Sequence, residues 1–486
     1  MSPISILLIL MLYFGILMLV SVITSKKNTG NDAFFLGNRQ SPWWVVAIGM
    51  VGASISGVSF VSVPGMVGKI DFTYMQTVFG FFFGYLIIAR VLLPLYYKLN
   101  LTSIYTYLEQ RFGKRAYKTG ASFFLLSKTV GAAARLYVVA LILQTLVFDA
   151  WNIPFVFTVT GIILLIWLYT FRSGIKTIVW TDTLQTIIMV AALVLIIVEL
   201  MQQLGLNTSE LRAAIVETQH SRIFVFDDWH SKQHFVKQFF SGIFIAVVMT
   251  GLDQDMMQKN LSCRNLKDAQ KNMYWYGFSF IPVNLLFLIL GAMLLIFATQ
   301  LNVAVPVSSD EILPFFASNY LGRTVMILFV TSIIAAAFSS ADSALTALTT
   351  SFSVDILGIE HKDKIKAQRT RKWIHIGISA LFILIIIVFK AINNKSIIDT
   401  IYILVSYTYG PLLGLYSFGL FTKLKTNDKA IPYIAVLSPV VCGILNHSAK
   451  TFWGYAFGYE LLMLNGFLTF AGLWIFRKKK KDVVMW

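Results

Sequence analysis

GMVGASISGVSFVSVPG, residues 49–65, decides how this chain is read. It holds four glycines, four serines and one proline in seventeen positions, a composition that disfavours a continuous helix. Yet it lies inside an apolar run, 43–66, long enough to cross a hydrocarbon layer roughly 30 Å thick. Two readings are open. The run is either a tightly packed small-residue helix interface, or a broken helix whose freed carbonyls line a cavity. Five apolar runs later, at 236–257, a second interruption falls at Thr250-Gly251 and is followed by LDQDMMQKN. Interruptions in a first and a sixth helix are what two repeats of five helices would give, and together they favour the broken-helix reading.

The rest of the chain fits a membrane setting. Of its 486 residues 57% are hydrophobic and only 13% charged, with a mean hydropathy of +0.73. A soluble chain carries roughly a quarter charged residues. Thirteen runs read as spans: 3–25, 43–66, 74–97, 119–148, 153–171, 177–201, 236–257, 273–299, 325–352, 373–391, 397–421, 430–448 and 453–476. The opening run is span 0 and the others are spans 1 to 12. It lacks a basic leader and a small-residue cleavage site and reads as a retained span. All are expected to be helical, because lipid offers no partner to an open strand.

The net charge of +17 is mainly an orientation signal, not a nucleic-acid footprint. With the N-terminus outside, the loops 26–42, 98–118, 172–176, 258–272, 353–372 and 422–429 and the tail from Arg477 face the cytoplasm. They hold 28 of the 40 Lys and Arg residues, which predicts N outside and C inside. Cys263 and Cys442 alone give no disulfide framework. Outside, 202–235 mixes Leu, Phe and Trp with charges, and 304–322 resembles a short amphipathic lid helix. Inside, 99–115 reads as an interfacial helix with Arg and Lys at its C-terminal end, where they suit the helix dipole.

Polar residues inside the spans mark candidate sites. In IIAAAFSSADSALTALTTS, residues 333–351 of span 8, Ala336, Ser339, Ser340 and Ser343 fall on one helical stripe with Asp342 at its edge. Oxygen ligands suit a hard cation such as Na⁺, although serines also hydrogen-bond to their own backbone. A carboxylate in a span usually marks a pathway. Span 5 supplies a second acid, Asp182, which reads as a site residue or as a snorkelling interfacial acid. Two carboxylates in one small site do not both ionise cheaply, so a cation or a proton is expected between Asp182 and Asp342. Span 3 supplies Arg135, near the middle of its run. It reads as a structural partner for an acid such as Asp182, or as a planar fork for a substrate carboxylate. Lys128, two turns nearer the cytoplasm, is expected to snorkel.

Several stretches in order resemble the sodium/solute symporter family: FFLGNRQSPWWVVAIGMVGASISGVSF, LPLYYKLNLTSIYTYLEQRFG, VWTDTLQTIIM, GLDQDMMQKNLSCRN, SSADSALTALTT and YGPLLGLYSFGLF. The similarity covers nearly the whole chain. It implies an all-α membrane protein of leucine-transporter-like fold, with inverted five-helix repeats at 43–201 and 236–421. Residues 1–42 would form a leading helix and loop, 202–235 an external loop, and 422–486 two trailing helices with a basic tail. It implies a sodium site at the carbonyls of Gly52 and Ile55 with Ala336, Ser339 and Ser340. By similarity to sialic-acid-transporting members, a second cation site maps to Asp182, Ser339, Asp342 and Ser343. Those members carry a serine where Asp342 stands. Substrate contacts map to Ser54, Ser56, Ser59, Gln76 and Arg135.

The function this implies is sodium-coupled import of a small organic solute, anionic and similar to sialic acid, by alternating access. A neutral sugar, an amino acid or another monocarboxylate is the alternative. The protein is expected in a bacterial inner membrane, working as a monomer with sodium, solute and lipid as partners and no nucleic acid. A polytopic enzyme is disfavoured because no HExxH or GxSxG occurs and the six histidines are scattered. A channel would need a filter loop that does not stand out.

Overall fold

The computed structural model describes residues 3–25, 35–170, 175–359, 363–392, 397–455 and 457–477. Most of the loop 26–42, much of 172–176 and the tail beyond Arg477 lie outside the described residues. Among the described residues the chain is helical, with no strand beyond two isolated bridges. Eight helices are long and apolar enough to cross a membrane, and two bent pairs bring the number to ten. Shorter apolar helices occupy Phe155–Leu168, Gly410–Phe421 and Leu461–Ile475. The chain is thus an integral membrane protein by length and composition of its helices.

Both expected breaks are present. Span 1 divides into Trp43–Ser54 and Gly57–Ile70, bent by 59°, and span 6 into Phe235–Gly251 and Gln254–Leu261, bent by 66°. The glycines of span 1 explain how the broken helix sits so deep. A Cβ on Gly52 would lie 1.9 Å from Thr186 Oγ1 of span 5, and one on Gly57 would lie 2.6 Å from Val139 of span 3. A Cβ on Gly65 would lie 1.8 Å from the Ser309 carbonyl. That carbonyl belongs to the outer segment read as a lid. Its helix is Ile312–Asn319, preceded by a short turn, and Asp310 of that turn accepts a hydrogen bond from Ser62 of span 1.

Spans 2 and 6 approach as closely. Gly80 and Gly242 face each other across the seam, and a Cβ on either would come within 2.2 Å of a carbonyl on the partner helix. The external loop is anchored on span 2, where Phe79 stacks on Phe224 and the Gln76 amide bonds to the loop backbone. The interfacial helix shortens to Thr106–Arg111. Arg111 suits a helix dipole, but not its own. Its guanidinium donates to the carbonyls of Gly419, Thr422 and Leu424 at the C-terminal end of span 10.

Candidate functional site

The two breaks are built differently. In span 6 the carbonyls freed at Gly251 and Leu252 are taken by the hydroxyls of Tyr96 and Tyr105, each at 2.9 Å. Asp253 then caps the second half-helix by accepting from the amides of Asp255 and Met256. In span 1 the Ile55 amide donates to Val51, and the Ser56 amide turns back to Ser54 at 3.1 Å. None of these bonds ends on the carbonyl of Gly52 or Ile55. The break in span 6 is closed by side chains, whereas the break in span 1 keeps oxygen acceptors to spare.

Span 8 faces that break. A Cβ on Gly57 would lie 3.9 Å from Ala336. Beside Ala336, Ser339 is fully buried and donates to Asp182 Oδ1 at 2.7 Å, which leaves its lone pairs able to accept a cation. The Ser340 hydroxyl is buried without a hydrogen-bond partner, a state that carries a cost unless something outside the chain satisfies it. Free carbonyls, a polarised hydroxyl and an orphan hydroxyl fit a hard monovalent cation.

Asp182 is not a snorkelling acid. It is completely buried, and the Nζ of Lys259 lies 2.8 Å from its Oδ2, with the Ser343 hydroxyl at 3.3 Å. The lysine contact is a buried ion pair. Sequence placed Lys259 in a cytoplasmic loop, 258–272. It belongs instead to the buried half-helix Gln254–Leu261, whose residues are all buried. Of the residues read as a second cation site, Asp182 is thus met by a lysine ammonium. Asp342, fully buried, is among the charges acting on that ammonium. A sodium ion about 4 Å from it would meet about 4 kcal/mol of repulsion at an effective dielectric of 20.

The charge chain continues. Lys259 lies 3.7 Å from Asp255, which lies 2.7 Å from Lys128. Lys128 also reaches Asp253 at 3.2 Å, and Asp253 accepts from the Tyr409 hydroxyl at 2.7 Å. Lys128 thus does not snorkel, because two buried carboxylates on the broken helix hold it inside the bundle. Arg135, two turns along the same helix face, has no carboxylate within ion-pair distance among the described residues. Asp182, its expected structural partner, is taken by Lys259.

A cavity opens at the two breaks between spans 1, 2, 3, 6, 7 and 10. Ser54, Ser56 and Ser59 of span 1 line it, with Arg135 and Lys128 of span 3, and Phe81, Met249, Phe280 and Tyr402 form much of its apolar wall. Ser54 pairs with the Tyr276 hydroxyl at 2.6 Å, and Tyr276 with Tyr85 at 2.9 Å. Gln76 does not line this cavity. Its amide is spent on the Thr73 and Gln233 carbonyls and on the Val225 amide, which ties down the external loop. Sequence reasoning did not assign roles to Asp253, Asp255, Lys259, Tyr276 or Tyr409. A usable signal was present, since Asp255 and Lys259 are spaced i, i+4 within a polar stretch that follows a helix break.

A bundle of apolar spans with two broken helices and a polar-lined cavity at the breaks is the architecture of a secondary transporter. Residues 34–432 match the sodium:solute symporter family, and the chain belongs to it. A sodium/sialic acid symporter of Aliivibrio fischeri is 25% identical over 94% of this chain and 91% of its own length. The mouse sodium-coupled monocarboxylate transporter 1 is 26% identical over 83% of this chain and 66% of its own. The structure of a substrate-bound, outward-open sodium-coupled sialic acid symporter superposes with a TM-score of 0.83 at 21% identity, covering 97% of both chains. That likeness establishes the shared fold.

Proposed function

We propose that this protein imports a carboxylate-bearing solute together with sodium by alternating access, across a bacterial inner membrane. Thirteen crossings, an outer N-terminus, an inner C-terminus, a pair of inverted five-helix repeats and action as a monomer complete this reading. No chemical step is assigned to it. The observation that carries the proposal is Arg135, a cation on the wall of the cavity that forms no ion pair among the described residues. A planar guanidinium is suited to a carboxylate, which it can hold with two parallel hydrogen bonds. Sialic acid and monocarboxylates, named for the two relatives, share that group. The serine and tyrosine hydroxyls opposite favour a hydroxylated body, and hence sialic acid, over a simple monocarboxylate.

Sodium at Gly52, Ile55, Ala336, Ser339 and Ser340 would hold the broken span 1 against span 8. Coupling then follows from the ion's higher affinity for the state in which those oxygens converge, with no push required. Replacing both Ser339 and Ser340 by Ala should raise the sodium concentration for half-maximal uptake at least about tenfold, since each lost ligand costs about 1–3 kcal/mol. An unchanged sodium dependence would remove these residues from the site.

Uptake of labelled N-acetylneuraminate into proteoliposomes tests the whole reading. Accumulation under an inward sodium gradient, competed by free acids but not by the methyl ester of the same sugar, is the expected result. Equal competition by acid and ester would point to a neutral solute.

A further inference from the structure

We infer that Lys259 supplies, as a tethered ammonium, the positive charge that a second sodium ion would bring to Asp182, so that transport couples to one sodium only. The inference rests on the sodium-coupled reading above. The carboxylate that would anchor a second ion is the one that meets the lysine: Asp182 Oδ2 lies 2.8 Å from Nζ, and the Ser339 and Ser343 hydroxyls donate to the same carboxylate at 2.7 and 3.3 Å. Both oxygens of Asp182 are thereby engaged, in a site sealed from solvent.

The lysine is also held from its other side. Asp255, one helical turn back, lies 3.7 Å from its Nζ and is itself fixed by Lys128 at 2.7 Å. An ammonium between two buried carboxylates keeps its charge and its place, and its backbone belongs to the broken half of span 6. It moves with the protein and is never released. A sodium ion entering beside it would face a like charge in a medium that screens poorly. The neighbouring site keeps oxygens that the chain does not engage. There the Gly52 and Ile55 carbonyls receive none of the break's hydrogen bonds, and the Ser340 hydroxyl lacks a partner among the described residues.

One consequence is electrical. A single sodium carried with a monocarboxylate moves no net charge, so uptake should not respond to membrane potential. Two sodium ions would move one positive charge per cycle and make uptake steeply potential-dependent.

The decisive measurement counts ions. Equilibrium binding of radioactive sodium to the purified full-length protein, without solute, should saturate at one ion per chain with a Hill coefficient near one. Lys259→Arg should leave that count unchanged, and Lys259→Gln should raise it to two. In proteoliposomes loaded for a potassium–valinomycin potential, N-acetylneuraminate uptake should keep its rate, and sodium and solute should enter at one to one. Two ions bound to the wild-type protein would overturn the inference while leaving sodium coupling intact. A Lys259→Gln protein that folds and still binds only one would overturn it too. No bound sodium at all would overturn the sodium-coupled reading, and the inference with it. Because Lys259→Gln can fail to fold, the wild-type count decides on its own.

Discussion

Arg135→Lys should weaken binding of a carboxylate solute by ten- to a hundredfold, and Arg135→Gln by more. Each charge-assisted hydrogen bond contributes about 1.5–3 kcal/mol, and about 1.4 kcal/mol is a factor of ten in affinity. An ammonium provides a point charge but not the two parallel donors of the guanidinium. Lys128 cannot compensate, although it lines the same cavity, because Asp253 and Asp255 hold it at 3.2 and 2.7 Å. The ester of the same solute should bind weakly to the wild type and no more weakly to either variant. That pattern separates recognition from architecture. A purely structural arginine would instead lower thermal stability and reduce binding of acid and ester alike. Calorimetric or thermal-shift titration in fixed sodium distinguishes the two.

Much of this was legible in residue order, for physical reasons. Span 1 announces its break because glycine, serine and proline are poor helix formers wherever they cluster, and the bend falls at residues 55–56, inside the quoted stretch. The small stripe of span 8 is visible because a 3.6-residue period puts Ala336, Ser339 and Ser340 on one face. The half-helix Gln254–Leu261 is harder to read. Hydropathy identifies what faces lipid, and this segment faces protein, so its Asp, Gln and Lys residues look like a loop. Lys259 accordingly reads as a cytoplasmic charge, and the partners open to Asp182 are Arg135 or a cation from solution. Gln76 is a different case. A buried amide in span 2 has the chemistry to touch a solute, and only the fold of the external loop, with Val225 and Gln233 against it, shows that its bonds are already made.

The contrast between the two breaks also orders the cycle proposed for this protein. Tyrosine hydroxyls close the span 6 break from within the chain. The span 1 break has no such internal closure at Gly52 and Ile55, so its packing against Ala336 is the arrangement an ion can favour or release. Span 6, pinned by Lys259 to span 5 and by Asp253 and Asp255 to span 3, is expected to move with those helices as one body. Span 1 is the element whose position the proposed sodium site would control.

The pin itself should be measurable, and it carries the largest stability effect expected here. Asp182 and Lys259 are 0% and 1% exposed at their side chains. Removing one member leaves the other charged and buried, a loss of about 3–5 kcal/mol. Asp182→Leu and Lys259→Met should each lower the melting temperature of the detergent-purified protein sharply, even in sodium-free buffer. The double variant replaces the pair by apolar groups of similar length, which is often neutral for a buried ion pair. It should therefore recover most of the lost stability, and a double-mutant cycle should give a coupling energy of several kcal/mol, beyond the additivity of independent sites. Asp255 keeps part of its compensation through Lys128, so the recovery should be incomplete by about 1 kcal/mol, the scale of one weakened hydrogen bond to a charge. Two single variants whose losses simply add would mean that Asp182 and Lys259 do not depend on each other, and the 2.8 Å contact would then not pin span 6 to span 5.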